Sequence, residues 1–176
     1  MRRRFDAYLS QEQSVTALLP YFEAQPDDVI YEPCCGYKHV IARTLWRAGY
    51  KRIFLNDLDE TVRAHRNINA AHFIKCFEPR PDWICTNPPF SEAMGILRQA
   101  WEHARCGVIF QLRLSFLEPT FERQEFLEKF PPDRLLVLPR YSFTENGKTD
   151  SVTTAWMMWH KYPVQPFIKV IPKFAA

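Results

Sequence analysis

The chain has 176 residues, of which 47% are apolar and 24% charged, with a net charge of +3. That balance suits one folded domain with a sizeable core and excludes a disordered or low-complexity chain. The modest positive charge permits nucleic-acid binding without demanding it.

No apolar run approaches the length of a membrane span, and Met1-Arg2-Arg3-Arg4 leads into amphipathic sequence rather than a signal core, so a cytoplasmic protein is expected. Cys34, Cys35, Cys76, Cys85 and Cys106 are odd in number and show no framework spacing. They read as free thiols, and no metal site is expected.

In chain order, the first helix is expected after Ser10, which stands at capping-box spacing from Gln13. Val15, Leu18, Leu19 and Phe22 supply its apolar face. Val29-Ile30-Tyr31 reads as a buried strand ending at Glu32-Pro33, and a second helix follows with Val40, Ile41, Thr44, Leu45 and Ala48 on one side. Gly49 is placed to end that helix. Arg52 to Asn56 reads as the second strand, ending at Asp57, and Asp59 is placed to cap a third helix running to about Asn69. Residues 72–77 are assigned a weak third strand.

Residues 81–86 form a clearer strand that runs into Asn87-Pro88-Pro89-Phe90. Ser91 is expected to cap the next helix, with Met94, Leu97, Trp101 and Ala104 inward. A strand follows at 107–110, then a short helix within 121–130. Two late strands, 135–138 and 153–159, flank an Asn146-Gly147 turn signal. The consecutive Trp156-Met157-Met158-Trp159 reads as a strand buried on both faces.

Strands alternating with helices predict a mainly parallel α/β sheet with right-handed crossovers, and the late pair adds an antiparallel edge. Ligands bind such sheets outside the carboxyl ends of the strands. Glu32-Pro33, Asp57 and Asn87-Pro88 all stand at such ends.

The Asn-Pro-Pro-Phe segment carries the chemistry. Two prolines stiffen it and remove backbone donors, so it presents acceptors: the Asn87 side-chain oxygen and the Pro88 carbonyl. Two acceptors can hold both hydrogens of an –NH2 group, and Phe90 offers a face for a planar group.

Residues 82–90, Asp-Trp-Ile-Cys-Thr-Asn-Pro-Pro-Phe, resemble the catalytic motif of the amino-group DNA methyltransferases, N6-adenine type. Asp6-Ala7-Tyr8-Leu9-Ser10, Glu32-Pro33-Cys34-Cys35-Gly36 and Asp57-Leu58-Asp59 are similar to that family's cofactor-side segments, in the same order. The resemblance implies a Rossmann-like class I methyltransferase fold. Its sheet would be mainly parallel and seven-stranded, with an antiparallel C-terminal hairpin strand.

By the same resemblance the cofactor is S-adenosyl-L-methionine, held by Tyr8, Glu32, Pro33, Cys34, Gly36, Asp57, Leu58 and Asn87. Asn87, Pro88, Pro89 and Phe90 are the catalytic segment, and Phe90 and Phe143 lie beside the target base. Lys148, at a polar hairpin tip, is placed to touch phosphate. The expected reaction is methyl transfer to an exocyclic amino group, most of all adenine N6 in DNA. A flipped base would be its substrate form.

The chain is expected to be a single methyltransferase domain over residues 1–176 with no separate target-recognition domain. Specificity would then come from loops, a homodimer or a partner protein. Tyr37 and Lys38 depart from the family's glycine-rich loop, and Phe73-Ile74-Lys75-Cys76 offers no acidic residue beside the adenine. RNA or protein-amide acceptors, and a methyltransferase-like binding protein without catalysis, therefore stay open.

Overall fold

The structure, a computed structural model, describes residues 10–140 and 152–173. Its centre is a sheet of seven strands: β1 (Ile30–Glu32), β2 (Ile53–Leu55), β3 (Trp83–Thr86), β4 (Gly107–Arg113), β5 (Arg134–Val137), β6 (Thr154–His160) and β7 (Phe167–Val170). Their spatial order is β2-β1-β3-β4-β6-β5-β7. The β2, β1, β3 and β4 neighbours run parallel, β6 is antiparallel to both β4 and β5, and β7 is parallel to β5. Among the described residues five helices accompany it: α1 (Glu12–Leu18), α2 (Val40–Arg47), α3 (Ala70–Cys76), α4 (Ala93–His103) and α5 (Gln124–Lys129).

Alternate residues of the central strands point into two cores, as a sheet covered on both faces requires. Ile30, Trp83, Cys85, Ile109, Trp156 and Met158 face α1 and α2. Tyr31, Ile84, Val108, Phe110, Met157 and Trp159 face α4 and its neighbours. Trp156 to Trp159 are at most 1% exposed, which bears out the reading of that run as a doubly buried strand. The indole N–H of Trp156 is satisfied by the Ser14 carbonyl at 2.7 Å, tying β6 to α1.

Several local expectations hold for identifiable reasons. Gly49 adopts φ +110, and its N–H donates to the Trp46 carbonyl while that of Tyr50 donates to Leu45. This Schellman pairing needs a residue free to take positive φ.

Other expectations fail. Residues 72–77 are not a strand: α3 covers Ala70–Cys76, started by the Asn69 side chain, which accepts the His72 N–H at 3.2 Å. Buried Ala70 and Ile74, one helical turn apart, face α4.

Nor does Asp59 start a helix. Its carboxylate closes a local turn on the Thr61 N–H and hydroxyl, and Asn67 donates to the Asp59 and Val62 carbonyls. Short polar side chains satisfy the backbone here in place of helical hydrogen bonds. The segment instead runs beside the outer edge of β2. There the His65 N–H donates to the Leu55 carbonyl, the Leu55 N–H donates to His65 Nδ1, and Asn56 bridges Arg66. An irregular segment thus covers the outer edge of β2.

Ser10 and Ser91 cap nothing. α1 begins after Gln11 and α4 after Glu92, each without a side-chain cap, and both serines line pockets instead. Strand β7 was not anticipated; its Ile168 and Val170 stay largely exposed. The Asn146-Gly147 turn lies outside the described residues, though the strands it was to join, β5 and β6, pair antiparallel. No helix among the described residues is long and apolar enough to cross a membrane.

Candidate active site

The chain passes from β1 to β2 on one side and then across to β3 on the other, so the sheet order reverses at β1. Such a reversal opens a crevice at the carboxyl ends of the two diverging strands. Glu32 is the last residue of β1, Asn87 directly follows β3, and Asp57 lies two residues beyond β2.

The loop after β1 is held on both sides. Asn56, fully buried, donates from its amide to the Pro33 and Ile68 carbonyls and accepts the Ile68 N–H. The Cys35 N–H reaches the Asn56 carbonyl at 2.9 Å. Gly36 takes φ +59, a conformation that favours glycine, and its N–H donates to Asp57 Oδ2 at 2.8 Å. The other Asp57 oxygen accepts the Asp59 N–H at 3.0 Å. Asp57 therefore locks the β1 loop to the β2 end, and carboxylate oxygens can accept further bonds.

Below this loop lies a narrow slot of about 30 Å3, lined by Ser10, Glu32, Cys34, Gly36, His39 and Asn87 among others. Glu32 is 1% exposed, and its carboxylate accepts the Ala42 N–H at 3.1 Å. Burial pushes its pKa well above the ordinary carboxylate range. The Ala42 bond opposes that shift and the nearby Asp57 charge adds to it. A buried acid in this position gains most from a cationic partner. The thiols of Cys34, Cys35 and Cys85 are likewise pushed up, chiefly by burial.

His39, which sequence reasoning did not single out, also lines this slot. It stands at φ +47 immediately before α2, and among the described residues its buried Nε2 has no hydrogen-bond partner. The sequence signal for it was only its place between a turn glycine and a helix. Tyr37 and Lys38, which depart from the family's glycine-rich loop, are exposed and do not line the slot.

A second, wider pocket of about 600 Å3 opens beyond the tetrapeptide, lined by Phe90, Met94, Arg113, Phe116, Phe121 and Arg123 among others. The Arg113 guanidinium lies 4.3 Å from the Phe90 ring centroid. Arg113 also escaped sequence reasoning; a charge ending a largely apolar strand was its signal.

The structure thus brings Glu32, Cys34, Gly36 and Asn87 together around one slot and puts Asp57 in contact with Gly36. Pro33 is buried behind the loop as an anchor for Asn56. Pro88 is buried and Pro89 accepts the Glu92 N–H, turning the chain toward α4. Leu58 is 49% exposed beside Asp57 and does not line the slot. Tyr8, Phe143 and Lys148 lie outside the described residues.

No protein-family model matches the sequence, and no curated protein matches it. Solved structures do resemble it in fold. The M protein of the EcoKI type I restriction enzyme superposes with a TM-score of 0.67 at 13% identity, over 89% of this chain and 44% of that one. The type I restriction-modification methyltransferase subunit from Streptococcus thermophilus gives 0.64 at 14%, over 86% and 44%. Magnesium protoporphyrin IX methyltransferase from Synechocystis, a structure with bound S-adenosylmethionine, gives 0.59 at 11%, over 86% and 79%. The chain spans under half the length of the two restriction subunits. At these identities the likeness establishes the fold: a Rossmann-like class I methyltransferase sheet.

Proposed function

We propose that this chain transfers a methyl group from S-adenosyl-L-methionine to an exocyclic amino group, with adenine N6 of DNA the favoured acceptor. One observation carries the reading. Asn87 lines the narrow slot and Phe90, three residues on, lines the wide pocket, so a single stiff tetrapeptide stands between two compartments. A donor whose sulfonium end reaches the slot and an acceptor in the wide pocket would meet across it.

The residues on the donor side fit such a cofactor. Glu32 offers a buried carboxylate to a cationic group, and His39 Nε2 offers an unused polar atom to the amino-acid end. Asp57 retains acceptor capacity for ribose hydroxyls, Gly36 allows close backbone approach, and Leu58 presents an apolar side chain next to it. When bound, the cofactor supplies an electrophilic methyl on a sulfonium.

On the acceptor side, the Asn87 oxygen and the Pro88 carbonyl would take the two amino hydrogens and turn the nitrogen lone pair toward the slot. Phe90 would offer an aromatic surface to the ring, and Arg113 a donor at its edge. Positioning of this kind can supply much of the rate without a strong base. A base in a duplex would have to leave its stack to arrive there.

The test is transfer of radiolabelled methyl to unmodified DNA, RNA and protein. Transfer to DNA is expected, and Asn87→Ala should reduce it by about a hundredfold or more while the melting temperature barely moves. Equal transfer by the variant, or label appearing in RNA or protein with DNA inert, would overturn the DNA reading.

A further inference from the structure

Phe121 is 94% exposed, the most exposed of the large apolar side chains among the described residues. It sits on the rim of the wide pocket, in the segment between a short 3-10 turn (Leu114–Leu117) and α5. Lone apolar residues on a surface are common, but a loose loop would usually let so large a ring fold back. This loop is not loose. The Arg123 guanidinium donates to the Ser115 carbonyl at 2.8 Å and the Thr120 hydroxyl at 2.9 Å, and it lies over the buried Phe116 ring. From α4, Arg98 donates to the Glu122 carbonyl at 3.0 Å. The N–H groups of Arg123 and Gln124 both return to the Thr120 carbonyl. Thr120 and Glu122, the two neighbours of Phe121, are therefore pinned while its ring is held out in water.

We propose that Phe121 is a stacking wedge: it enters the base stack of duplex DNA at the gap left when the acceptor base swings into the wide pocket. This rests on the reading of that pocket as the acceptor compartment. An extruded base leaves an unstacked step beside it, and aromatic side chains fill such steps and stack on bases of any sequence. A ring already fixed at the rim loses little conformational freedom on insertion. Of the charged residues lining the pocket, Arg113 and Arg123 outnumber Glu122, a balance that favours a polyanion.

The experiment uses two pools of short duplexes with one central adenine in randomised flanks. In one pool that adenine faces thymine; in the other it faces an abasic site, where extrusion costs little. Initial methyl-transfer rates are compared for wild type, Phe121→Ala and Phe121→Trp. The wedge predicts that Phe121→Ala loses about tenfold on the paired pool and less than about twofold on the abasic pool, with Phe121→Trp close to wild type. Because the side chain touches water, Phe121→Ala should melt with wild type.

Equal loss on both pools, or no loss on the paired pool, overturns the wedge while wild-type transfer leaves the acceptor reading standing. Absence of wild-type transfer to either pool, with or without transfer to protein amides, overturns both.

Discussion

Replacing Glu32 by Gln should move stability and ligand binding in opposite directions. Gln is nearly isosteric and can still accept the Ala42 N–H that Glu32 Oε2 accepts at 3.1 Å, but it carries no charge to desolvate. Glu32 is 1% exposed, and burial raises its pKa from an ordinary value near 4.5. A carboxyl whose pKa is raised by folding favours the folded state fully only below its unfolded value, and that contribution is lost as pH rises through the folded value. At neutral pH the ligand-free protein therefore bears the cost of either a buried anion or an acid held protonated. Removing it should stabilise the ligand-free chain by roughly 1–3 kcal/mol. At about 2–4 °C per kcal/mol for a chain of this size, that is a rise of several degrees in Tm. The difference between variant and wild type should grow from near zero at about pH 4.5 toward pH 8.

S-adenosyl-L-methionine reverses the order. A hydrogen bond to a charged group is worth about 1.5–3 kcal/mol, so losing it should weaken Kd by about 10- to 150-fold. At a ligand concentration a hundred times the wild-type Kd, wild type gains about 2.7 kcal/mol of stability; a variant weakened thirtyfold gains about 0.9 kcal/mol. Differential scanning fluorimetry across pH, with and without the ligand, measures both effects. A variant less stable than wild type without ligand, and equally stabilised by it, would refute the reasoning.

Two further outcomes follow from the packing of the sheet. A Cβ at Gly107 would lie 2.5 Å from the Trp159 carbonyl oxygen and 2.7 Å from the Trp83 ring, so Gly107→Ala should cost about 3 kcal/mol, read from urea unfolding. His160 sits 3.2 Å from Asp133, but burial outweighs that partner and lowers its pKa. A histidine with a depressed folded value stabilises fully above its unfolded value, near 6.5, and loses that contribution as pH falls through the folded value. His160→Gln should therefore flatten the fall in Tm on the acid side, in melts from pH 8 to pH 5.

The sequence alone determined the elements whose signals are local and agree with one another. Apolar runs bounded by turn residues placed β1, β3, β4 and β6, and Gly49 ended α2 because only a residue tolerant of positive φ closes that Schellman turn. The tetrapeptide at the end of β3 was legible because proline stiffness and acceptor chemistry are written in residue type. The tertiary structure decided what depends on neighbours distant in sequence. Residues 70–76 became a helix through one Asn69 cap and the company of α4, against a composition that suited a strand. The edge of β2 was covered by His65 and Arg66 because exposed ladder groups accept whatever backbone lies near them. His39 came to line the slot beside the β1 loop, and Arg113 the wide pocket beside Phe90, only in the folded chain, since a side chain's role there is set by the space around it and not by its spacing along the chain.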